Sequence, residues 1–261
     1  MTRSPSRLTV EAEDYLKAIY ELGRRNGTAG AARGAATSSV GDTPVGTTAL
    51  AHTLGIAAAS VSGMLQRLAR QGLVKTARYR GTRLTPAGRT AALQLIRRHR
   101  VIESYLVTRL GYDWDDVHDE AERLEHAVSP DLIDRMARDL GNPTADPHGA
   151  PIPTADGEVD ERRLGSLAAL GAGDSARVLR MSDRDAGLLR YLADRGIRPG
   201  ARVRVESREA FDGPIVLTVG RERQTMSPAA AAQVWVEDAT HAPRGRDKRP
   251  GGAGRKPPTR S

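Results

Sequence analysis

The chain has 261 residues, 39% of them hydrophobic and 28% charged, with a formal net charge of +8; that length gives room for about two domains, each with a modest core. It contains no cysteine, which excludes a disulfide framework and fits a reducing compartment. No run approaches the roughly 18 consecutive apolar residues of a membrane span and no apolar stretch follows Met1, so a cytoplasmic protein without a membrane partner is expected.

The charge is unevenly placed. Residues 1–89 carry thirteen Lys and Arg against five Asp and Glu, whereas residues 90–163 carry nine against sixteen. A basic block is the footprint of a polyanion binder, and an acidic block gathers cations.

In chain order, Thr9 is placed to cap a helix over residues 9–25, in which Leu8, Ala12, Tyr15, Ile19 and Leu22 recur at helical spacing. Asp14 lies beside that apolar stripe. Residues 26–44 are mostly Gly, Ala, Ser and Thr, too poor in apolar groups to offset the entropy of ordering them, and are expected to form a flexible insertion. From Thr47 to Leu73 the pattern is a helix, a tight turn at Gly55 and a second helix from about Ala58. Val61, Leu65 and Leu68 bury one face of the second helix, leaving Ser60, Ser62, Gly63, Gln66, Arg67 and Arg70 available to a partner. That is the layout of a helix-turn-helix reading a major groove, although an ordinary helical hairpin has the same pattern. The next residues, Leu73 to Pro86, suggest two short strands around a basic turn at Gly81. As a wing, this hairpin would bring Lys75, Arg78, Arg80 and Arg83 to phosphates.

Pro86 suits the first turn of a long helix reaching about Leu110. His99 and Glu103 are four apart on it and could share one cation, or simply touch on a helix surface. The acidic stretch Val117-His-Asp-Glu-Ala-Glu-Arg-Leu-Glu-His126 follows. As a helix it aligns His118, Glu122 and His126 on one face, with Glu125 beside them. Oxygen and imidazole donors without sulfur favour manganese or ferrous iron; a solvated charged face is the plain alternative. Ser129-Pro130 opens a further helix to about Leu140. Leu124, Val128, Leu132, Ile133 and Met136 exceed what one thin helical unit can cover, which calls for a homodimer, the symmetry that palindromic half-sites in double-stranded DNA require.

Prolines 143, 147, 151 and 153 mark a semi-rigid linker. Beyond it, residues 201–206, 215–219 and 233–237 suggest strands and 186–194 a short helix, together a small β-barrel. The basic tail has nothing to bury.

Four stretches, Asp14-Tyr-Leu-Lys-Ala-Ile-Tyr, Arg97-Arg-His-Arg-Val-Ile-Glu103, Val117 to His126 and Asp146-Pro-His-Gly-Ala-Pro-Ile-Pro, resemble the diphtheria toxin repressor family of metal-dependent regulators, in particular its manganese-responsive branch. The resemblance implies a mainly α fold with a small all-β domain. In order, it implies a winged helix-turn-helix DNA-binding domain (1–89), a helical metal-binding and dimerisation domain (90–141) and an SH3-like β-barrel (164–240), to which composition adds the 26–44 insertion, a Pro-rich linker (142–163) and a disordered basic tail (241–261). Carried over by position, it implies a primary metal site of Asp14, Glu122, Glu125 and His126 and an ancillary site of His99, Glu103 and His118, to which Asp183 could contribute. Iron-sensing relatives have methionine and cysteine at the positions of Asp14 and Glu122, so hard oxygen here favours Mn²⁺ over the alternative, Fe²⁺. Lys17 stands where small manganese regulators have a second carboxylate, which argues against a closely spaced two-manganese site. Gly63 stands where iron-type members have a base-contacting Gln. DNA contacts are then expected from Ser60, Ser62, Arg67, Arg70, Arg78 and Arg80.

These expectations describe a metal-dependent repressor of metal-homeostasis genes. A metalloenzyme built on the acidic helix is the rival from another class, but H-E-x-x-H and nucleophile-elbow motifs are both missing; no catalysis and no small organic substrate are expected. In a third reading, a metal-independent winged-helix regulator, the acidic helix is only structural.

Overall fold

In a computed structural model, residues 8–31, 43–77, 79–162, 164–237 and 240–241 are described. Helix α1 (Val10–Ala31) carries Glu11 and Glu13 in its first turn, where negative charge suits the helix dipole. It buries Ala12, Tyr15, Leu16, Ile19 and Tyr20. This stripe packs with α2 (Thr47–Leu54) and α3 (Ala58–Arg70) in one apolar cluster. The helix is longer than expected: residues 26–31, assigned from composition to a flexible insertion, continue it. A formed helix extends at one hydrogen bond per residue fixed, so Ala-containing sequence can follow a nucleated turn. Residues 32–42 of that insertion lie outside the described residues.

Helices α2 and α3 meet at 107°, within the range of a helix-turn-helix. Gly55 makes the turn at φ 66 and donates its N–H to the end of α2, a left-handed position that glycine takes without a Cβ penalty. Val61, Leu65 and Leu68 are buried, as their spacing requires. Strands β1 (Val74–Ala77) and β2 (Gly81–Leu84) form the antiparallel wing, joined along its edge by Val45, which bridges Thr82.

Helix α4 (Pro86–Leu110) begins with Thr85 accepting from the Gly88 N–H at 3.1 Å. Its 25 residues, about 37 Å at 1.5 Å per residue, cross two cores. Ala92, Leu93 and Ile96 complete the winged-helix cluster, and Val101, Ile102 and Leu106 belong to a second one with α5 (Val117–Glu125) and α6 (Pro130–Asp139). Of the apolar set expected to need a partner, Ile133 is buried within this second core, and Leu124, Val128 and Met136 pack on it. Leu132 stays exposed, as do Leu110 and Tyr112.

Residues 142–163 do not run as a solvated linker. Asp146, His148, Ala150 and Ile152 are buried, Ala145 bridges Pro151, and Asp146 Oδ1 accepts from the His148 and Ala150 N–H groups at 2.9 Å each. Proline reduces the entropy lost on ordering such a segment, so a composition that reads as a spacer also suits a docked turn. Gly149, at φ 82, lies so close to the next domain that an added Cβ would sit 1.9 Å from the Leu179 carbonyl oxygen.

The C-terminal domain is an antiparallel sheet in the order β3-β8-β4-β5-β6-β7, with β9 (Thr240–His241) on β4. Strands β5 (Arg202–Arg208), β6 (Ile215–Val219) and β8 (Val234–Val236), and helix α7 (Ala186–Ala193), fall where alternation and spacing place them. The charged strands β4 (Asp174–Met181) and β7 (Glu222–Met226), the short β3 (Gly165–Ser166) and α8 (Pro228–Ala231) gave no such signal. Leu167, Val178, Leu189, Val203, Val205, Ile215, Leu217 and Val234 are among the residues of the core. Among the described residues no single helix is long and apolar enough to cross a membrane. Of the basic tail expected from residue 241, His241 pairs in β9 and is ordered, and residues 242–261 lie outside the described residues.

Candidate metal centre

Helices α1, α4 and α5 converge on a cleft of about 740 Å³, closed on one side by Asp183 and Arg184 of the C-terminal domain. Helical spacing puts the polar groups there: His99 and Glu103 are one turn apart on α4, His118 and Glu122 one turn apart on α5, and Asp14 faces them from α1. Three groups of candidate ligands result.

The first group is Asp14, Glu125 and His126. His126 Nε2 lies 3.0 Å from Asp14 Oδ1 and 3.6 Å from Glu125 Oε1. The other ring nitrogen, Nδ1, is 2.7 Å from Glu13 Oε2. An ionised carboxylate only accepts, so with Nδ1 turned to Glu13 it is Nε2, on the Asp14 side, that a cation would take. Arg98 donates to the second Glu13 oxygen at 2.7 Å. Burial and the nearby Glu125 charge raise the Asp14 pKa, against the pull of His126 and Lys17. Lys17 Nζ donates to both Glu125 oxygens at 2.9 and 3.0 Å; burial opposes ionisation of Glu125, but His99 and Lys17 hold its pKa below the ordinary value. Glu122, expected in this set, stands apart from it. Its side chain is 55% exposed at the cleft mouth, with Oε1 3.8 Å from Lys17 Nζ and 3.6 Å from His118 Nε2.

The second group unites His99, Glu103 and His118. Glu103 Oε1 is 2.9 Å from His99 Nε2 and 3.1 Å from His118 Nδ1, and the two nitrogens are 3.1 Å apart. Edges of about 3 Å are those of an octahedral face with bonds of about 2.1 Å, so the donor set fits a small divalent cation. His99 Nδ1 meets Glu125 Oε2 at 2.6 Å, which links the first two groups. Burial disfavours the His99 imidazolium, yet Glu103 and Glu125 outweigh it and push its pKa up to about 10. Glu103 moves the opposite way, down, because His99 and His118 more than offset its burial.

A third group was not expected from the sequence: Glu103, Asp146 and His148, all buried. Glu103 Oε2, Asp146 Oδ2 and His148 Nδ1 are buried atoms without a hydrogen-bond partner among the described residues. Arg100 Nε approaches Asp146 Oδ2 to 3.5 Å without hydrogen bonding to it. His148 Nε2 donates to the Trp114 carbonyl at 2.6 Å; in the neutral ring this leaves the lone pair on Nδ1, 3.9 Å from Glu103 Oε2. Burial and the Glu103 charge raise the Asp146 pKa to about 6. Buried polar atoms are rarely orphaned, and three that converge fit a cation. The signal lay in Asp146-Pro-His148, read as a linker motif because prolines surround it; Glu13, whose acceptor role is purely spatial, had no signal. Asp183 lines the shared cleft, and its charge acts on His118 and Asp146.

In the winged-helix unit, Ser60, Ser62, Arg67 and Arg70 of α3 and Arg80 of the wing are exposed. Tyr79 projects from the wing tip at φ 64, 91% exposed. Arg78 lies outside the described residues.

Three family models match in order: iron dependent repressor, N-terminal DNA binding domain (residues 37–82); iron dependent repressor, metal binding and dimerisation domain (85–154); and FeoA domain (165–238). The iron-dependent repressor IdeR of Mycobacterium tuberculosis is 32% identical over 237 residues, covering 86% of this chain and 96% of its own. The diphtheria toxin repressor of Corynebacterium diphtheriae is 32% identical over 216 residues, covering 79% and 87%. A solved manganese-dependent transcriptional repressor in complex with manganese superposes with a TM-score of 0.74 at 41% identity, covering 87% of this chain and 99% of that one.

Proposed function

The chain belongs to the iron-dependent repressor family, and from that premise we propose that it is a homodimeric repressor of metal-homeostasis genes that binds double-stranded DNA when loaded with Mn²⁺. The observation that carries this reading is the 3.0 Å approach of Asp14, on the helix that buries α2 and α3, to His126 at the end of α5. A ligand from the DNA-reading unit thereby meets ligands from the dimerisation unit.

Asp14, Glu125 and His126 would hold the controlling cation, with Glu122 turning inward from the cleft mouth as a fourth ligand. His99, Glu103 and His118 would hold a second one, and the orphaned atoms of Glu103, Asp146 and His148 a third, with Asp183 at hand. Bound there, the cation supplies positive charge that carboxylates of α1 and α5 share. Everything else is done by the chain. Glu13 fixes the His126 tautomer, Arg98 holds Glu13, and Lys17 keeps Glu125 ionised until the cation arrives. With α1 fixed to α5, the two α3 helices of a dimer hold one separation, which matches half-sites of one spacing and stabilises the DNA-competent arrangement.

Donor type supports manganese over iron. The set is oxygen and imidazole, with no cysteine anywhere in the chain, and carboxylate sites suit Mn²⁺ where sulfur would favour softer ions. The test is operator binding by fluorescence anisotropy during titration with Mn²⁺ and, without oxygen, Fe²⁺. Mn²⁺ should stimulate binding, and Asp14→Ala and Glu122→Ala should abolish stimulation while sparing weak non-specific binding. Unchanged stimulation in both variants would refute the assignment.

A further inference from the structure

Where α1, the end of the 142–163 segment and the C-terminal sheet meet, a buried positive charge stands without a hydrogen-bonded or ion-paired partner among the described residues. Arg180 follows Ala176 and Val178 on the inward side of β4, at an irregularity in its pairing with β8, and is 7% exposed. Its guanidinium stacks on the Trp235 ring, 4.3 Å from the centroid. Among the described residues nothing accepts a hydrogen bond from that guanidinium, and no carboxylate comes within 4.0 Å of it. A guanidinium has five donors and cannot shed its charge as a lysine can, so burial without an anion is strongly unfavourable. Burial, with Arg24 and Arg100 adding like charge, outweighs the more distant Asp183 and Asp146 charges and pushes the Arg180 pKa down to about 9.

Arg180 lines a cavity of about 80 Å³ together with Arg24, Arg162, Ser182 and Glu161. Against a water's share of about 30 Å³, that is room for one small polyatomic ion. Three carboxylates line the cavity: Glu21 and Glu161 are committed elsewhere, and Asp183, whose charge favours the Arg180 cation, makes no ion pair with it. Glu21 accepts from Arg184 at 2.6 Å, and Glu161 accepts from Tyr20 at 2.8 Å and Arg89 at 2.7 Å. Arg100 is engaged by the Pro151 carbonyl and lies 3.5 Å from Asp146. Five arginines against three carboxylates leave the lining with positive charge in excess.

We propose that this cavity binds a tetrahedral oxyanion of the phosphate class, with the Arg180 guanidinium as its principal ligand, Arg24 as a second positive charge and the Ser182 hydroxyl as a neutral donor. Planar guanidinium groups match such oxygens in bidentate fashion. Because Arg24 belongs to α1 and Arg180 to β4, the anion ties the C-terminal domain to the DNA-binding unit. The proposal does not depend on which metal the protein takes, and metal-free protein tests it.

The full chain, stripped of metal with a chelator, is titrated at constant ionic strength with inorganic phosphate, sulfate, glycerol phosphate or chloride. Calorimetry and the fluorescence of the two tryptophans, of which Trp235 lies under Arg180, report binding. Saturable binding of one oxyanion per chain is expected, with chloride inert. Arg180→Met, which keeps an apolar stem on the inward face, should weaken binding at least tenfold, and Arg24→Gln severalfold with the fold unchanged by circular dichroism. Glycerol phosphate binding as tightly as phosphate identifies an ester-borne group; phosphate alone identifies the free ion. Absence of saturable binding for every oxyanion, or equal binding by wild type and both variants, overturns the proposal.

Discussion

Glu103→Gln separates the metal groups most cleanly. The Glu103 side chain is fully buried, its Oε1 facing His99 and His118 and its Oε2 facing Asp146 and His148. One isosteric change therefore removes a charged ligand from two groups and leaves Asp14, Glu125 and His126 intact. A charge-assisted contact is worth about 1.5–3 kcal/mol, so each of the two affected sites should lose about 10- to 150-fold in Mn²⁺ affinity. The metal-free protein should also lose stability. The amide cannot replace the anion opposite His99, and breaking a buried pair costs up to about 3–5 kcal/mol; relief of the orphaned Oε2 lowers that figure. The assay is equilibrium dialysis with metal analysis, paired with urea unfolding of metal-free protein. The variant should retain one tightly held Mn²⁺ per chain and lose the rest. Wild-type stoichiometry and affinity at every site would refute the shared-ligand reasoning.

Other outcomes follow from the same geometry. Since the metal-free protein holds His99 protonated to about pH 10, Mn²⁺ must displace protons near pH 7, so apparent affinity should fall as pH falls; calorimetry in two buffers of different ionisation enthalpy should detect the release, and equal heats would count against it. The linked effect on metal-free stability has the opposite direction. The His99 pKa is raised above its ordinary 6.5, so its stabilisation is complete below about pH 6.5 and fades as pH rises through about 10, which urea midpoints across that range would register. Gly149→Ala should loosen the C-terminal domain, because its Cβ would collide with the Leu179 carbonyl at a left-handed φ and the clash costs about 1–3 kcal/mol or more; faster proteolysis between the domains is the readout, and a wild-type digestion rate would contradict it. Arg67→Ala on the exposed face of α3 should weaken DNA binding and, if the guanidinium meets a phosphate, reduce the salt slope by about one; an unchanged slope and affinity would remove Arg67 from the interface.

Much of the architecture could be read in the sequence because its helices are strongly periodic or well punctuated. Pro86 and Gly111 bracket α4, Gly55 marks the turn, and Val61, Leu65 and Leu68 define the buried side of α3. The acidic helix disclosed its shared face by spacing alone, and resemblance supplied the partner on α1. What escaped depended on long-range contact. Strand β4 was hidden because Arg180, on its inward side, breaks the apolar alternation. Asp146 and His148 were hidden by prolines that lend a docked turn the composition of a spacer. Glu13 sits next to a predicted ligand, yet its role arises only where His126 presents Nδ1 to it across 113 residues of sequence. The half-exposed Glu122 shows the converse limit: spacing places a residue on the right face, while its rotamer answers to Lys17 and His118.

The most direct test of the account is a crystal structure of the Mn²⁺-loaded protein with anomalous scattering at the manganese edge. A manganese peak bonded at once to Asp14 of α1, to Glu125 of α5 and to His126 just beyond it is expected. Manganese confined to the His99 and Asp146 groups, with Asp14 turned away in protein that still binds its operator, would contradict it.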